Sequence, residues 1–177
     1  MYIQLQNIVS SFREEQSVSE ISLTHLFCDV LRRLSAASLG LFAGAMLTEG
    51  LVLVPYWRSL PSEEFFRWYA ANDQRLLGFF GPLTWAAALP ALAAAFASLW
   101  EGHPGRWASL AAAALSLVIV STFFLYFKQA NAGFTAATIR PEDLPAELAR
   151  WSAWHWRRTW LSIAALAAAM LSLWRIS

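Results

Sequence analysis

The chain has 177 residues, of which 58% are hydrophobic and only 14% charged, and its formal net charge at neutral pH is +1. A soluble globular domain carries about 25% charged residues, so this composition excludes an ordinary soluble protein, and the small net charge argues against a nucleic-acid partner. The single cysteine, Cys28, excludes an internal disulfide and a Cys-x-x-Cys redox pair. We therefore expect an integral membrane protein.

Residues 1–33 are predicted to form an amino-terminal arm outside the membrane domain. Ser17 and Glu20 have the spacing of a capping box, and apolar residues then recur at helical intervals. This pattern predicts an amphipathic helix over residues 17–33, either on the membrane surface or continuous with the first span. The residues before Ser17 are predicted to be poorly ordered, and the late first apolar run favours an uncleaved membrane helix over a signal peptide.

Four apolar stretches follow, and each is long enough to cross about 30 Å of hydrocarbon as a helix. They cover residues 34–57, 77–100, 107–128 and 151–174. The connection EGHPGR between the second and third stretches is short, so these two are predicted to form an antiparallel hairpin. The sequence therefore predicts an all-α fold, a four-helix antiparallel transmembrane bundle over residues 34–177, with longer loops at residues 58–76 and 129–150.

Nine of the ten tryptophans lie at or near the ends of these stretches, where indoles favour the boundary between hydrocarbon and lipid headgroups. We interpret Trp57, Trp100, Trp107 and Trp174 as an interfacial belt. Trp151, in a cluster of four indoles at the start of the fourth stretch, is predicted instead to form a pocket wall.

The positive charges leave the membrane orientation open. Arg32 and Arg33 lie directly before the first span and favour a cytoplasmic amino terminus. The longer loops and their flanks, however, hold more Lys and Arg than the opposite side, which favours loops in the cytoplasm.

Small residues recur every four positions along the first stretch, at Ala36, Gly40, Gly44 and Thr48. Such a ridge lets two helices approach closely, and in lipid close packing is a main source of helix association. The ridge predicts packing within the bundle, with homodimerisation as the alternative.

Glu49 is the only acidic residue well inside an apolar stretch, about 12 Å along the helix from Trp57. Because a carboxylate at that depth is costly, it is expected to face the bundle interior and to have a partner or a proton. We predict Glu49 as a catalytic residue, with a structural hydrogen bond to a neighbouring helix as an equal alternative.

At the start of the fourth stretch, Glu147, Trp151, His155 and Arg158 recur at helical spacing and share one face. A base, a cation and an indole therefore lie side by side at the predicted mouth of the bundle. We predict His155 and Arg158 as catalytic residues and Trp151 as a substrate-binding residue. The alternative is an interfacial belt whose arginines reach the headgroups.

Asn131 and Tyr126 lie at the same end and are predicted to bind substrate by donating hydrogen bonds to an oxygen, with helix capping or interfacial anchoring as alternatives. No metal site is expected. His25 and His103 lie outside the stretches, so two histidines of one chain are not expected to ligate a haem. A metal held by His155 and Glu49 has no motif to support it.

These residues resemble a family of small four-helix membrane proteins that includes the anthrone oxygenases. The likeness covers residues 34–174. It depends on the glycine-rich first span ending in proline (GLFAGAMLTEGLVLVPYW), on Asn131, and on the Trp-x3-His-x2-Arg pattern of Trp151, His155 and Arg158. Most members of that family have no known activity, so the resemblance implies the fold more directly than the reaction.

For the characterised members, the resemblance implies cofactor-independent oxygenation of a polycyclic phenol at an activated methylene carbon. Such chemistry needs a base to form the carbanion and donors to hold the oxygen. By resemblance, His155 or Glu49 would be the base, and Arg158 or Asn131 the donor.

Two function hypotheses follow. The first is an oxidoreductase-like enzyme, without a cofactor, that acts on a lipophilic phenolic or quinoid substrate in a polar, aromatic-lined pocket. The alternative is a non-enzymatic membrane subunit or scaffold that packs against a partner protein through its small-residue faces.

We expect a multi-pass protein of a bacterial inner membrane. Its expected partners are the lipid bilayer, a lipophilic small molecule, and either further copies of the chain or a larger membrane complex, but no nucleic acid.

Overall fold

The protein is all-helical in the computed structural model, which describes residues 23–174 in full and residues 2–22 as backbone. No strand occurs among these residues. The helical segments, in chain order, are α1 (Tyr2–Thr48), a first π-turn (Glu49–Leu53), α2 (Val54–Ser59), α3 (Ser62–Trp100), α4 (Arg106–Thr122), a second π-turn (Phe123–Phe127), α5 (Lys128–Thr135), a 3₁₀ turn (Pro141–Asp143) and α6 (Leu144–Ser172). The π-turns join α1 to α2 and α4 to α5, so four continuous helices result.

The backbone of α1 is helical without a break from Tyr2, so the helix does not begin at Ser17. Of the two predicted arrangements for residues 17–33, the structure has the one that is continuous with the first span. The side chains of Ser17 and Glu20 lie outside the described residues. Because a capping box requires a helix start, the prediction of one at Ser17 is wrong. The amphipathic character and the order of the arm stay predictions.

The predicted loops are largely helical. α3 begins at Ser62 and α5 ends at Thr135, whereas loops were predicted over residues 58–76 and 129–150. The reason is visible in α3, where apolar side chains at helical spacing pack into a core beside Trp57. Two acidic residues in the first turn of α3 also complement the positive end of the helix dipole.

Three helices of the described residues are long and apolar enough to cross a membrane: Leu23–Ser59, Ser62–Trp100 and Arg106–Thr135. Large apolar side chains lie exposed along each of them, as expected for surfaces that face lipid. α6 has sufficient length, but its first half carries Arg157 and Arg158 and it is not among the three. Its crossing of the membrane stays a prediction.

The four long helices pack as a ring in which α1 contacts α3 and α6, and α4 contacts the same two helices. Three of the larger core side chains, Leu39, Phe42 and Met46, come from α1, and they pack with Ile119 of α4 and with alanines of α3, α4 and α6. Alanine lets helix backbones approach closely, and this is the packing that membrane helices favour.

The small-residue ridge of α1 divides between two environments. Ala36 is buried, and a Cβ added at Gly40 would lie 3.7 Å from Leu166 of α6. A Cβ added at Gly44 would instead meet nothing within 4 Å. The first half of the ridge therefore packs within the chain, and the second half faces outward.

One end of the bundle is held together by buried charges and a close backbone contact. The Arg32 guanidinium donates hydrogen bonds to Glu101 at 2.9 Å and to Asp29 at 2.6 Å, and His25 Nδ1 lies 2.7 Å from Glu101. Gly105 lies so near α6 that an added Cβ would be 2.5 Å from the Ser172 carbonyl oxygen. The opposite end holds the candidate site.

Candidate functional site

An aromatic cluster fills the end of the bundle near the longer connections, with Trp57 at its centre. Trp57 is 0% exposed and contacts the rings of Phe65, Trp68, Tyr69 and Trp151 at centroid distances of 5.3–6.3 Å. The prediction that Trp57 belongs to an interfacial belt is therefore wrong. The first turns of α3, predicted as a loop, fold over this indole and remove it from the surface.

The other three predicted belt residues are exposed at helix ends. Trp100, Trp107 and Trp174 have exposed fractions of 77%, 68% and 72%. All three lie at the opposite end from the aromatic cluster. The exposed indoles and the aromatic cluster thus lie at opposite ends of the molecule, and the interfacial role of these three tryptophans stays a prediction.

Both π-turns lie beside the cluster. Glu49 is the first residue of the first π-turn, and Phe127 is the last residue of the second. A π-turn inserts one residue into a helix, distorts its hydrogen bonding and is found frequently at functional sites. Glu49 and Phe127, one from each π-turn, both line a large cavity between α3 and α4.

Glu49, His155 and Arg158 form a buried polar triad between α1 and α6. Glu49 Oε2 lies 3.3 Å from Arg158 Nη2 and 3.4 Å from His155 Nδ1. All three residues are less than 10% exposed. The predicted catalytic residues are therefore in contact, although 106 positions separate Glu49 from His155 in the chain.

The second ring nitrogen of His155 determines how the imidazole is oriented. His155 Nε2 lies 2.9 Å from the Met46 carbonyl oxygen. A carbonyl only accepts, so Nε2 carries the proton and donates it to this bond. In the neutral imidazole, Nδ1 is then a lone-pair acceptor that faces the Glu49 carboxyl group.

Gly50 makes the approach of His155 possible. A Cβ added at Gly50 would lie 3.0 Å from His155 Nε2 and 3.3 Å from Trp156. Both distances are shorter than an ordinary van der Waals contact. The glycine after Glu49 therefore gives the imidazole room to reach the backbone of α1.

Arg158 is held from two sides. Its guanidinium carbon lies 4.4 Å above the Phe127 ring, a cation–π contact, while Nη2 faces Glu49. Among the described residues, no hydrogen-bond partner satisfies Arg158 Nε. A buried guanidinium with a free N–H beside a cavity offers a donor to a bound ligand.

Trp151 connects the triad to Asn131. Its indole stacks on the His155 ring with a centroid distance of 5.2 Å and an interplanar angle of 6°. Trp151 Nε1 donates a hydrogen bond to Asn131 Oδ1 at 2.9 Å. Both residues line the cavity, and their role in binding a substrate stays a prediction.

Tyr126 lies elsewhere. Its hydroxyl donates a hydrogen bond to Glu147 at 2.8 Å, and its ring stacks on Trp154 with a centroid distance of 5.2 Å. It is not among the residues that line the cavity. Its place one residue before Phe127 in the π-turn directs it away from the triad.

The main cavity has a volume of about 610 Å³ and lies between α3 and the continuous helix formed by α4 and α5. Glu49 and Arg158 of the triad line it, whereas His155 does not. This volume falls within the range of small-molecule sites. Six polar or charged residues form one end, which we call the polar end: Glu49, Tyr69, Asp73, Lys128, Asn131 and Arg158. The remainder of the lining is mostly aromatic or aliphatic.

Three residues of the polar end were not predicted: Tyr69, Asp73 and Lys128. Phe65, Tyr69 and Asp73 recur every four residues, a helical stripe that would have been visible if residues 62–76 had been assigned as helix. Lys128 lies at the end of the predicted third span, and the sequence contains no signal that separates it from an ordinary flanking charge.

A second cavity of about 390 Å³ lies on the other side of α3, between α3 and α1. The two cavities share three lining residues, Glu49, Leu76 and Phe80. Glu49 is therefore the carboxylate that borders both spaces. No cluster of three or more His, Cys, Asp or Glu side chains with metal-binding geometry occurs within residues 23–174.

The arrangement can accept a proton and stabilise a negative charge at neighbouring points. Glu49 is placed to take a proton from a ligand in the main cavity, and the Nδ1 lone pair of His155, 3.4 Å from Glu49 Oε2, can accept that proton in turn. The Arg158 guanidinium lies within reach of the same space and can stabilise the resulting anion. The aromatic walls fit a flat, apolar molecule.

Comparison with known proteins found no family model that matches this chain and no significant similarity to a curated protein or to a solved structure. The resemblance to the anthrone oxygenase family therefore stays a prediction from the residues quoted for it. Any functional conclusion depends on the geometry of the site itself.

Proposed function

We propose that the four long helices form an antiparallel transmembrane bundle of a multi-pass membrane protein, with a bacterial inner membrane as its expected location. Contacts between opposite ends of neighbouring helices support this arrangement. Ser98, late in α3, is 3.0 Å from Ser109, early in α4. Met46, late in α1, binds His155, early in α6. In this arrangement α6 is the fourth span, with Arg158 turned toward the bundle interior and Arg157 exposed.

We propose further that the protein is an enzyme that oxidises a lipophilic phenolic or quinoid substrate in the main cavity. The observation that carries this proposal is the buried Glu49 carboxylate, which borders the cavity between a guanidinium and an imidazole lone pair. Ionisable groups at such depth are costly and are typical of functional sites. A purely structural ion pair would not require an adjoining cavity of this volume.

In the proposed reaction, Glu49 removes a proton from a methylene carbon that is activated by a neighbouring carbonyl and by aromatic rings. The electron pair of the broken C–H bond delocalises onto the carbonyl oxygen, where Arg158 stabilises the charge. Dioxygen is the oxidant. One of its oxygen atoms becomes the new carbonyl group and the other leaves as water, which takes up both methylene hydrogens.

His155 supports the base in this scheme. Its proton on Nε2 is fixed by the Met46 carbonyl, so Nδ1 can receive the proton that Glu49 has taken. Trp151 stacks on the imidazole and is tied to Asn131, which fixes the orientation of Nδ1. Glu49 and His155 would therefore act as a unit, and either substitution should impair turnover.

The test is dioxygen uptake by the purified protein with anthrone as substrate, after subtraction of the protein-free rate. Glu49→Gln keeps the size of the side chain and removes the base, so kcat is expected to fall about 100-fold or more. His155→Ala is expected to lower kcat as well, since the proton acceptor behind Glu49 is lost. Glu64→Gln, at an exposed carboxylate in the first turn of α3, is the matched control and should leave the rate unchanged.

Equal dioxygen uptake by the wild-type, Glu49→Gln and His155→Ala proteins would contradict the proposal. That outcome would favour the alternative of a non-enzymatic membrane subunit, for which the open surface at Gly44 offers a contact face for a partner helix.

A further inference from the structure

The main cavity extends over a long stretch of α3. Its lining residues on this helix run from Tyr69 to Trp85, and 16 residues of helix span about 24 Å. They recur at intervals of three and four, so they form one continuous face of α3. A cavity of about 610 Å³ that extends over this length suits an elongated ligand better than a compact one.

Polarity changes from one end of the cavity to the other. The polar end holds all four charged lining residues. Farther along α3 the lining comprises Phe80, Gly81, Thr84 and Trp85, and the Thr84 hydroxyl donates its hydrogen bond to the backbone of its own helix. The opposite wall includes the apolar residues Ile119, Val120 and Phe124. A ligand that satisfies both ends has a polar head group and an apolar extension.

The apolar end reaches the outer surface of the bundle. Leu77 and Trp85 of α3 and Phe124 of the second π-turn line the cavity and have exposed fractions of 51%, 48% and 62%. All three belong to helices that are long and apolar enough to cross a membrane. The opening between α3 and α4 therefore faces hydrocarbon rather than water.

Gly81 lies in this opening. It lines the cavity, and a Cβ added there would meet nothing within 4 Å. The neighbouring Gly78 also has nothing within 4 Å, but it does not line the cavity. The helix thus provides one glycine beside the opening and one outside it.

We propose that the site takes a membrane-resident ligand, a quinone or phenol that carries one long apolar chain, and that the chain leaves the cavity past Gly81 into the bilayer. The inference depends on the proposed function for the head group beside Glu49 and Arg158 and adds the chain and its exit. A chain that stays in hydrocarbon requires no further burial by the protein. Each methylene group of the chain also favours partition into the membrane, which concentrates the ligand at the opening.

The test compares two probes, 2,3-dimethoxy-5-methyl-1,4-benzoquinone and the same quinone with a decyl chain. Binding is measured in lipid nanodiscs by quenching of tryptophan fluorescence for the wild-type, Gly81→Leu and Gly78→Leu proteins. Comparing each variant with wild type for one probe cancels the partitioning of that probe into lipid. Gly81→Leu is expected to raise the Kd of the decyl probe about tenfold, since crowding by a side chain costs about 1–3 kcal/mol. The Kd of the chain-free probe should change less than twofold.

Gly78→Leu should leave both Kd values unchanged, and Gly81→Ala should give a smaller rise for the decyl probe alone. The unchanged Kd of the chain-free probe also shows that the variant is folded. The inference is overturned if Gly81→Leu and Gly81→Ala affect both probes equally, or affect neither. Failure of both probes to bind the wild-type protein contradicts the proposed function itself, and this result is distinct from a failure of the chain exit.

Discussion

At the scale of single residues, the site depends on a carboxylate and a guanidinium that are buried together. Glu49 and Arg158 are 4% and 7% exposed, and their closest atoms are 3.3 Å apart. Such a pair contributes little net stability because desolvation offsets the attraction, but removing one partner leaves an uncompensated charge. A pair of this kind beside a cavity is retained more readily for function than for stability.

This arrangement predicts strong coupling between the two side chains. Arg158→Met should lower the free energy of unfolding by about 3 kcal/mol, because Glu49 loses its partner. The double variant Glu49→Gln/Arg158→Met should be more stable than Arg158→Met alone by about 1 kcal/mol or more. Reversible denaturation in mixed micelles measures both differences.

Arg157→Met is the matched control for this cycle. Arg157 is exposed and lies over the Trp154 ring, so its substitution should change the free energy of unfolding by less than about 1 kcal/mol. Strictly additive effects of the Glu49 and Arg158 substitutions would show that the two groups do not interact.

Individual site residues were predictable where polarity contrasts with an apolar background. Glu49 and Arg158 stand out in this way, and the helical spacing of Trp151 and His155 placed them on one face. Tyr69 and Trp57 were not predictable as site residues. Their burial depends on α3 starting at Ser62, and an aromatic residue near an apolar stretch has the same appearance whether it is buried or interfacial.

At the scale of elements, the first helix is tied to the others at two places. Within α1, Arg32 and His25 bind Glu101, which directly follows α3. After the end of α1, the first π-turn brings Glu49 into contact with α6. The sequence predicted the helices and their order but not the π-turns. The insertion of one residue into a helix changes neither the composition of a short segment nor its hydrophobic period in a way that the sequence reveals.

The contact at Glu101 predicts a pH-dependent stability. Burial alone would raise the pKa of Glu101, but hydrogen bonds from Arg32, His25 and Cys28 lower it below its usual value of 4.5. A carboxyl group whose pKa is lowered in the folded state stabilises the protein above its unfolded pKa. This contribution is lost as the pH falls through the lowered pKa.

The wild-type protein should therefore have a higher Tm than Glu101→Gln at pH 7, and the difference should shrink progressively below pH about 4.5. Thermal unfolding in a detergent that is insensitive to pH measures it. A difference in Tm that stays constant from pH 7 to pH 3 would contradict the assigned hydrogen bonds.

At the scale of the whole molecule, the two ends of the bundle differ in the side chains that they expose and bury. The end with Trp100, Trp107 and Trp174 presents exposed indoles, and buried charges tie its helices together. The other end encloses the aromatic cluster, the triad and the main cavity. Composition predicted the membrane class and the helical fold. The cavity was not predictable in detail, since it depends on the spacing between α3 and α4 and on the register of α6.

Binding of a lipophilic phenol or quinone in the main cavity can be tested by photoaffinity labelling of the wild-type protein with an azido-substituted naphthoquinone, followed by peptide mass spectrometry. We expect adducts within residues 76–85 and 119–131 that disappear when excess unlabelled naphthoquinone competes. Adducts confined to the exposed surface near Trp100 and Trp107, or adducts in the cavity that excess quinone does not reduce, would contradict it.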